Sequence, residues 1–208
     1  MKTTTKLAPL PCLTKAQNQG WNWNEFRDND HQGYEACVCQ ALLEQMGECA
    51  YTGLWLGEGS KQKIHIDHFR KKGIYPTLTF EWNNLFAAAK ELNCGADYKD
   101  GLIHGPLAHA DGVYRTFWSP LQVGLDDAFW FQQDGKMVPS DNLSPDDKQK
   151  AQNTIDMFNL NDGDLVNRRG TIIKQIRALS DLDDDTIRLC MNGKGFSILI
   201  EKELRYRG

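Results

Sequence analysis

IHIDHFRKKGIYPTLTFEWNNLFAAAKELNCGADYK, residues 64–99, is the stretch on which the reading of this 208-residue chain turns. Lys63 to Asp67 alternates polar and apolar residues, the pattern of a strand, and Asp67-His68 stands at its end. Residues 69–82 carry Gly73 and Pro76 and read as a loop. Asn84 to Leu92 is rich in Ala and Leu and stops before Cys94-Gly95, so it reads as a helix. Upstream, Ala50 to Leu56 is another strand-like run, joined to Lys63 through the glycine-containing GEGSKQ. The expected order is strand, strand, loop, helix. Asn84 then opens the helix and Asn93 closes it about two and a half turns later, where it faces the strand end carrying Asp67 if helix and hairpin pack together.

Working outward, Ala36, Cys39, Leu42, Leu43 and Met46 recur at helical spacing, predicting a helix from about Tyr34 to Met46 with Gly47 as its stop. The first 20 residues, with Pro9, Pro11 and Gly20, read as irregular, and Trp21, Trp23 and Phe26 as aromatics packed on the domain surface. Asp134-Gly135 between FWFQQ and KMV signals a hairpin turn. Ser144-Pro145-Asp146 is an N-cap with proline at the first helical position, opening a helix to about Phe158. Leu165, Ile172, Ile173, Ile176 and Leu179 mark another helix and Thr186 to Met191 a short one. FSILIEKELRY follows as a helix or a terminal strand. The organisation expected is an irregular lead-in over 1–33, a compact core over 34–100 and a mostly helical region over 101–208, packed on that core and partner-binding, its acids better suited to docking on protein than on DNA.

No apolar run approaches the roughly 20 residues that span a bilayer, and the first 15 residues lack the continuous apolar stretch of a signal peptide. A cytoplasmic location and no membrane partner are expected. Six cysteines without a CxxC pair suit buried thiols of a reducing compartment. The net charge of −4 argues against a nucleic-acid partner at first sight. Its distribution argues otherwise, because seven basic residues face four acidic ones between Lys61 and Lys99, whereas Asp141 to Asp185 is acid-rich.

The chemistry sits in the quoted stretch. Hydrolysing a phosphodiester needs an activated water, and His68 has the side chain suited to taking its proton near neutral pH. A divalent cation can stabilise the charge on the leaving oxygen. The Asp67 carboxylate and the Asn93 amide oxygen are hard ligands suited to Mg²⁺ or Mn²⁺. Asn84 can hold the His68 loop through backbone hydrogen bonds. Arg70, Lys71 and Lys72 read equally as a solvated loop or a phosphate-contacting patch. Lys99 and His65 are further candidates for substrate contact, although a structural histidine is the commoner reading of His65. His104 and His109 suggest a metal only weakly.

The set CAYT, IHIDHF and YPTLTFEWNNLFAAAKELN resembles the HNH, or ββα-metal, nuclease motif. With the flanks FWFQQDGKMVPS, KAQNTIDMFNLN and LVNRR, it resembles more narrowly the PtuB family, the HNH component of Septu and retron-associated anti-phage systems, over about residues 25–180. The resemblance implies an α+β fold, a ββα-metal core with added N-terminal and C-terminal helices. It implies His68 as general base, Asp67 and Asn93 as ligands of one catalytic cation, and Asn84 as supporting asparagine. It also implies a PtuA-type ABC ATPase partner, with a retron reverse transcriptase and its nucleic acid as further candidates, and cleavage of DNA or tRNA in phage defence. Many HNH domains frame the motif with two zinc-binding CxxC pairs. Here Cys49 remains, with Thr52, Ala89 and Leu92 at the matching positions, and one cysteine cannot make a tetrahedral zinc site. Either apolar packing has replaced the zinc or the domain has drifted towards inactivity, and the intact catalytic set favours the first, so no structural zinc is expected. The alternative to an enzyme is a catalytically silent HNH-like subunit that binds and regulates the ATPase.

Overall fold

The computed structural model describes residues 1–91, 93–109 and 112–206. The fold is α+β: helices surround two small two-stranded sheets. β1 (Ile64–His68) pairs antiparallel with β2 (Leu85–Ala89), Ile64 opposite Ala89 and His68 opposite Leu85. Helix α4 (Gly95–Leu102) follows.

The run Asn84–Leu92 is thus not a helix. Asn84 ends a short 3₁₀ turn, residues 85–89 form β2, and Leu92 lies outside the described residues. All five residues of β2 are buried. A strand covered on both faces shows a continuous apolar run instead of alternation, and a short run of that kind cannot be told from a buried helix by periodicity. The helix propensity of three alanines, a few tenths of a kcal/mol each, gives way to cross-strand hydrogen bonds and to helices α3 (His31–Glu44) and α4 against the strand. Ala50–Leu56, expected as a strand, instead makes a tight turn closed by the single bridge between Glu48 and Trp55.

The free edge of β2 is covered by a side chain. Gln45, 1% exposed, accepts from the Ala87 N–H at 2.9 Å and donates to the Ala87 and Glu48 carbonyls at 2.8 and 2.7 Å. It follows α3 (His31–Glu44), which corresponds to the expected helix, starting three residues earlier and ending two earlier. Two shorter helices precede it, α1 (Pro11–Asn18) and α2 (Trp23–Asn29), where an irregular lead-in was expected. Asn22 caps α2 in a capping box with Glu25, a signal present in the sequence. Trp23 and Phe26 are buried, not surface aromatics. The N-terminal segment is also anchored: Lys6 donates to the Leu85 carbonyl at 2.5 Å and pairs with Glu44 at 3.0 Å.

In the second half, the short helix α5 (Leu125–Ala128) leads into the hairpin of β3 (Phe129–Phe131) and β4 (Met137–Pro139) around the expected turn. Helices α6 (Pro145–Met157), α7 (Gly163–Ala178) and α8 (Asp184–Met191) follow, and residues 197–206 form helix α9, not a strand. The acids that make this region look like a docking surface largely serve helix starts. Ser144, Asp162 and Asp183 cap α6, α7 and α8, and Asp146, Asp147, Asp164, Asp184 and Asp185 sit in their first turns. Buried side chains form one cluster from Met1 to Leu204.

Gln45→Leu keeps the volume but leaves the Ala87 N–H without its acceptor and the Glu48 carbonyl without the Gln45 amide. The expected loss is about 2–4 kcal/mol, since each orphaned buried polar group costs about 1–3 kcal/mol. Urea denaturation of the full chain checks it.

Candidate active site

The pleat of β1 sends alternate side chains to opposite faces. His65 and Asp67 face α4: His65 Nε2 lies 3.9 Å from Asp97 Oδ1, and Asp67 Oδ2 lies 3.4 Å from Lys99 Nζ. His68 faces the other way, towards α2, with its ring edge-on to Trp23 at 4.6 Å.

His68 is 5% exposed, and its Nε2 lies 3.0 Å from the Thr79 carbonyl oxygen. A carbonyl only accepts, so Nε2 carries the proton and Nδ1 keeps the lone pair that can take another. Burial first, and the Lys72 ammonium second, lower the pKa of His68 to about 4, against the opposing pull of Asp67. The ring is therefore neutral at any ordinary pH.

Asn84 holds the loop that supplies Thr79. Its Oδ1 accepts from Arg70 N at 2.8 Å, and its Nδ2 donates to the Arg70 and Leu78 carbonyls at 3.0 and 3.2 Å. One buried amide thereby ties the residues just after His68 to the turn before Thr79. The Arg70 guanidinium lies over Tyr75 and Tyr114, at 5.4 and 5.7 Å from their ring centres. Lys72 is exposed. Lys71 is already engaged, its ammonium donating to the Asp100 and Ile103 carbonyls at 2.7 and 3.1 Å.

Asp67 is buried at 5% exposure and accepts from the Tyr51 hydroxyl at 2.5 Å through the same Oδ2 that faces Lys99. Burial opposes its charge, but Lys99 and the Tyr51 hydrogen bond outweigh it and hold the carboxyl below its usual range. Lys99 is raised although burial works against it, with Asp67 and then Asp100 responsible. Lys99 is wholly buried, so it cannot serve as the surface phosphate contact the sequence suggests.

Asn93 is not brought to Asp67. The chain leaves β2 at the Ile64 end of the hairpin, opposite His68, and Asn93 precedes α4 there, exposed, its carbonyl accepting from Asn159 at 2.7 Å. The reason is the helix that became a strand: helix geometry would have returned residue 93 towards Asp67, whereas the extended chain carries it away. Among the described residues no three His, Cys, Asp or Glu side chains group as a metal centre needs. Asn93 follows the Ile64 end of the hairpin while Asp67 lies next to the other end, its Oδ2 already shared by Tyr51 and Lys99, so the two do not fit one divalent ion.

Around the residues matched to zinc ligands, Cys49 is buried and its sulfur accepts from Ala89 N at 3.4 Å. Thr52 is buried with its hydroxyl on Leu54 N, and Leu92 lies outside the described residues. Burial, with Cys49 next in effect, pushes the Cys94 thiol up to about 12. Sequence reasoning missed Tyr51, Thr79 and Trp23 as parts of this site. Tyr51 stood inside the quoted CAYT, but only the fold shows what it touches.

The chain is 29% identical over 210 aligned residues to an Escherichia coli protein named "Retron Ec83 putative HNH endonuclease", covering 83% of this chain and 79% of that one. No family model matches the chain. No helix among the described residues is long and apolar enough to cross a membrane.

The His68 imidazole resonance, assigned by its loss in His68→Gln, is expected not to titrate between pH 8 and 5.5. The unfolded chain takes up this proton below about pH 6.5, the folded chain only below about 4. Stability attributable to His68 is therefore lost as pH falls through that window, by up to roughly 3 kcal/mol. Comparing wild type with His68→Gln by denaturation at pH 7 and pH 4.5 isolates it.

Proposed function

We propose that the chain is an HNH-type endonuclease hydrolysing phosphodiester bonds of nucleic acid, with β1, β2 and α4 as its ββα unit. His68 acts as general base through Nδ1, and Asn84 is its positioning residue. The observation that carries this reading is the Nε2 contact to the Thr79 carbonyl, which fixes the tautomer a base requires. A pKa near 4 makes the ring a weak base in the free protein. Lys72 is one cause of that depression, so a substrate phosphate held at Lys72 offsets its charge and raises the basicity of His68 when substrate is present. Arg70 is the other proposed phosphate contact, and His65 a minor one.

The relative's name supports a retron context, and the wider resemblance supports a PtuA-type ATPase partner, a reverse transcriptase with its nucleic acid, and DNA or tRNA as substrate. We read 34–100 as the nuclease core and 101–208 as the addition that meets the partner. Mg²⁺ or Mn²⁺ use belongs to the resemblance alone. A second reading, a silent HNH-like subunit that regulates the ATPase, is favoured by the burial of His68 at 5% exposure.

Cleavage assays of the partner complex on DNA and tRNA separate the two readings. His68→Ala is expected to lose at least roughly 10²-fold, the scale of general-base removal, with folding and partner binding intact. Unchanged cleavage would favour the silent subunit.

The isolated chain is expected to cleave poorly. Binding draws on phosphate neutralisation, and the net charge is −4. Of the cations near His68, Lys71 and Lys99 are spent on internal partners. Equal rates for the chain alone and its complex at moderate salt would refute this.

A further inference from the structure

Lys99 sits on α4 facing the end of β1, with no exposed surface. Its ammonium donates to the His68 carbonyl at 3.1 Å and the Phe69 carbonyl at 3.0 Å. It lies 2.8 Å from Asp100 Oδ1 and 3.4 Å from Asp67 Oδ2. Three donors thus meet four acceptors, two of them charged, and the site is closed by Tyr51 on the other side of Asp67. A cation between strand and helix, ringed by two carboxylates and two carbonyl oxygens, is surrounded by the hard oxygen donors a divalent ion takes. Here a side chain of the protein supplies the charge.

We infer that the Lys99 ammonium is the resident cation of this oxygen-lined site, and that Asp67 is a structural anion paired with it and not the ligand of a divalent ion. A metal bonded to an Asp67 oxygen would stand a few ångströms from a buried ammonium with little water to screen the two. An ion bonded to Asp67 Oδ2 would have to displace both the Tyr51 hydroxyl and the Lys99 ammonium. Because Lys99 grips both carbonyls that follow Asp67, it also fixes the chain where His68 leaves the strand, which makes it a positioning residue. The inference holds whether or not the chain cleaves nucleic acid.

Two experiments on the full chain test it. In the first, wild-type protein labelled with ¹⁵N receives equimolar Mn²⁺. The amide resonances of Tyr51, Asp67 and His68 are expected to persist, and their selective disappearance by paramagnetic relaxation would place an ion at Asp67 and overturn the inference. The second is a stability cycle of Asp67→Asn, Lys99→Met and the double variant. The double variant is expected to fold at least about 10-fold more favourably than the product of the single effects predicts, as coupled neighbours do. If Lys99→Met does not fold, recovery of folded protein on adding Asp67→Asn supports the pairing. Independent effects, or no recovery, overturn it.

Discussion

A lysine with no exposed surface, held against the carboxylate at the end of β1, is the constraint on which the geometry of this molecule depends. Removing two charges from water costs several kcal/mol each, so a buried pair persists only where further hydrogen bonds complete both partners. Lys99 finds them in the His68 and Phe69 carbonyls, beside a second ion pair with Asp100, and Asp67 in Tyr51. These contacts join three parts of the chain: the turn around Tyr51, the strand end and α4. The C-terminal half enters through the ring of Phe158, stacked on Tyr51 at 4.6 Å. Such a pair adds little stability over an apolar substitute, yet it penalises any packing that separates its members.

The other side of the same strand end is governed by burial and by one carbonyl. His68 is kept neutral by its burial against Trp23 and by the Lys72 charge nearby, and its tautomer is fixed by Thr79. Asn84 braces the loop carrying that carbonyl, so the histidine, its partner and its brace are joined by hydrogen bonds. The two faces of a five-residue strand therefore hold opposite electrostatic solutions, a compensated ion pair towards α4 and an uncharged imidazole towards α2. Few of the nearby cations remain for a polyanion. Lys71 and Lys99 hold the fold together, while Arg70 and Lys72 stay available at the loop.

Much of the site was legible because its signals are local. Alternation around Ile66 marks β1 to within a residue, Asp67-His68 stands where a strand ends, and Asn84 carries an amide suited to bracing a loop. Helix α3 and the Ser144-Pro145 start of α6 were legible for the same reason, since caps and periodicity act within a few residues. The asparagines of the motif were also legible as residue types, but not their distance from Asp67, which depends on whether residues 85–89 coil or extend.

The sequence by itself determined the α+β class, the strand with its Asp-His end and the helices whose caps are written beside them. Tertiary structure alone decided that LFAAA is a strand, because pairing with β1 and burial on both faces outweigh alanine's small preference for helix. It alone decided that Asn93 lies away from Asp67 and that Lys99 lies against it. Ion pairing across 32 residues of chain leaves no local pattern; it follows from the packing of α4 on β1, where a long side chain on the buried face must either find acceptors or destabilise the fold.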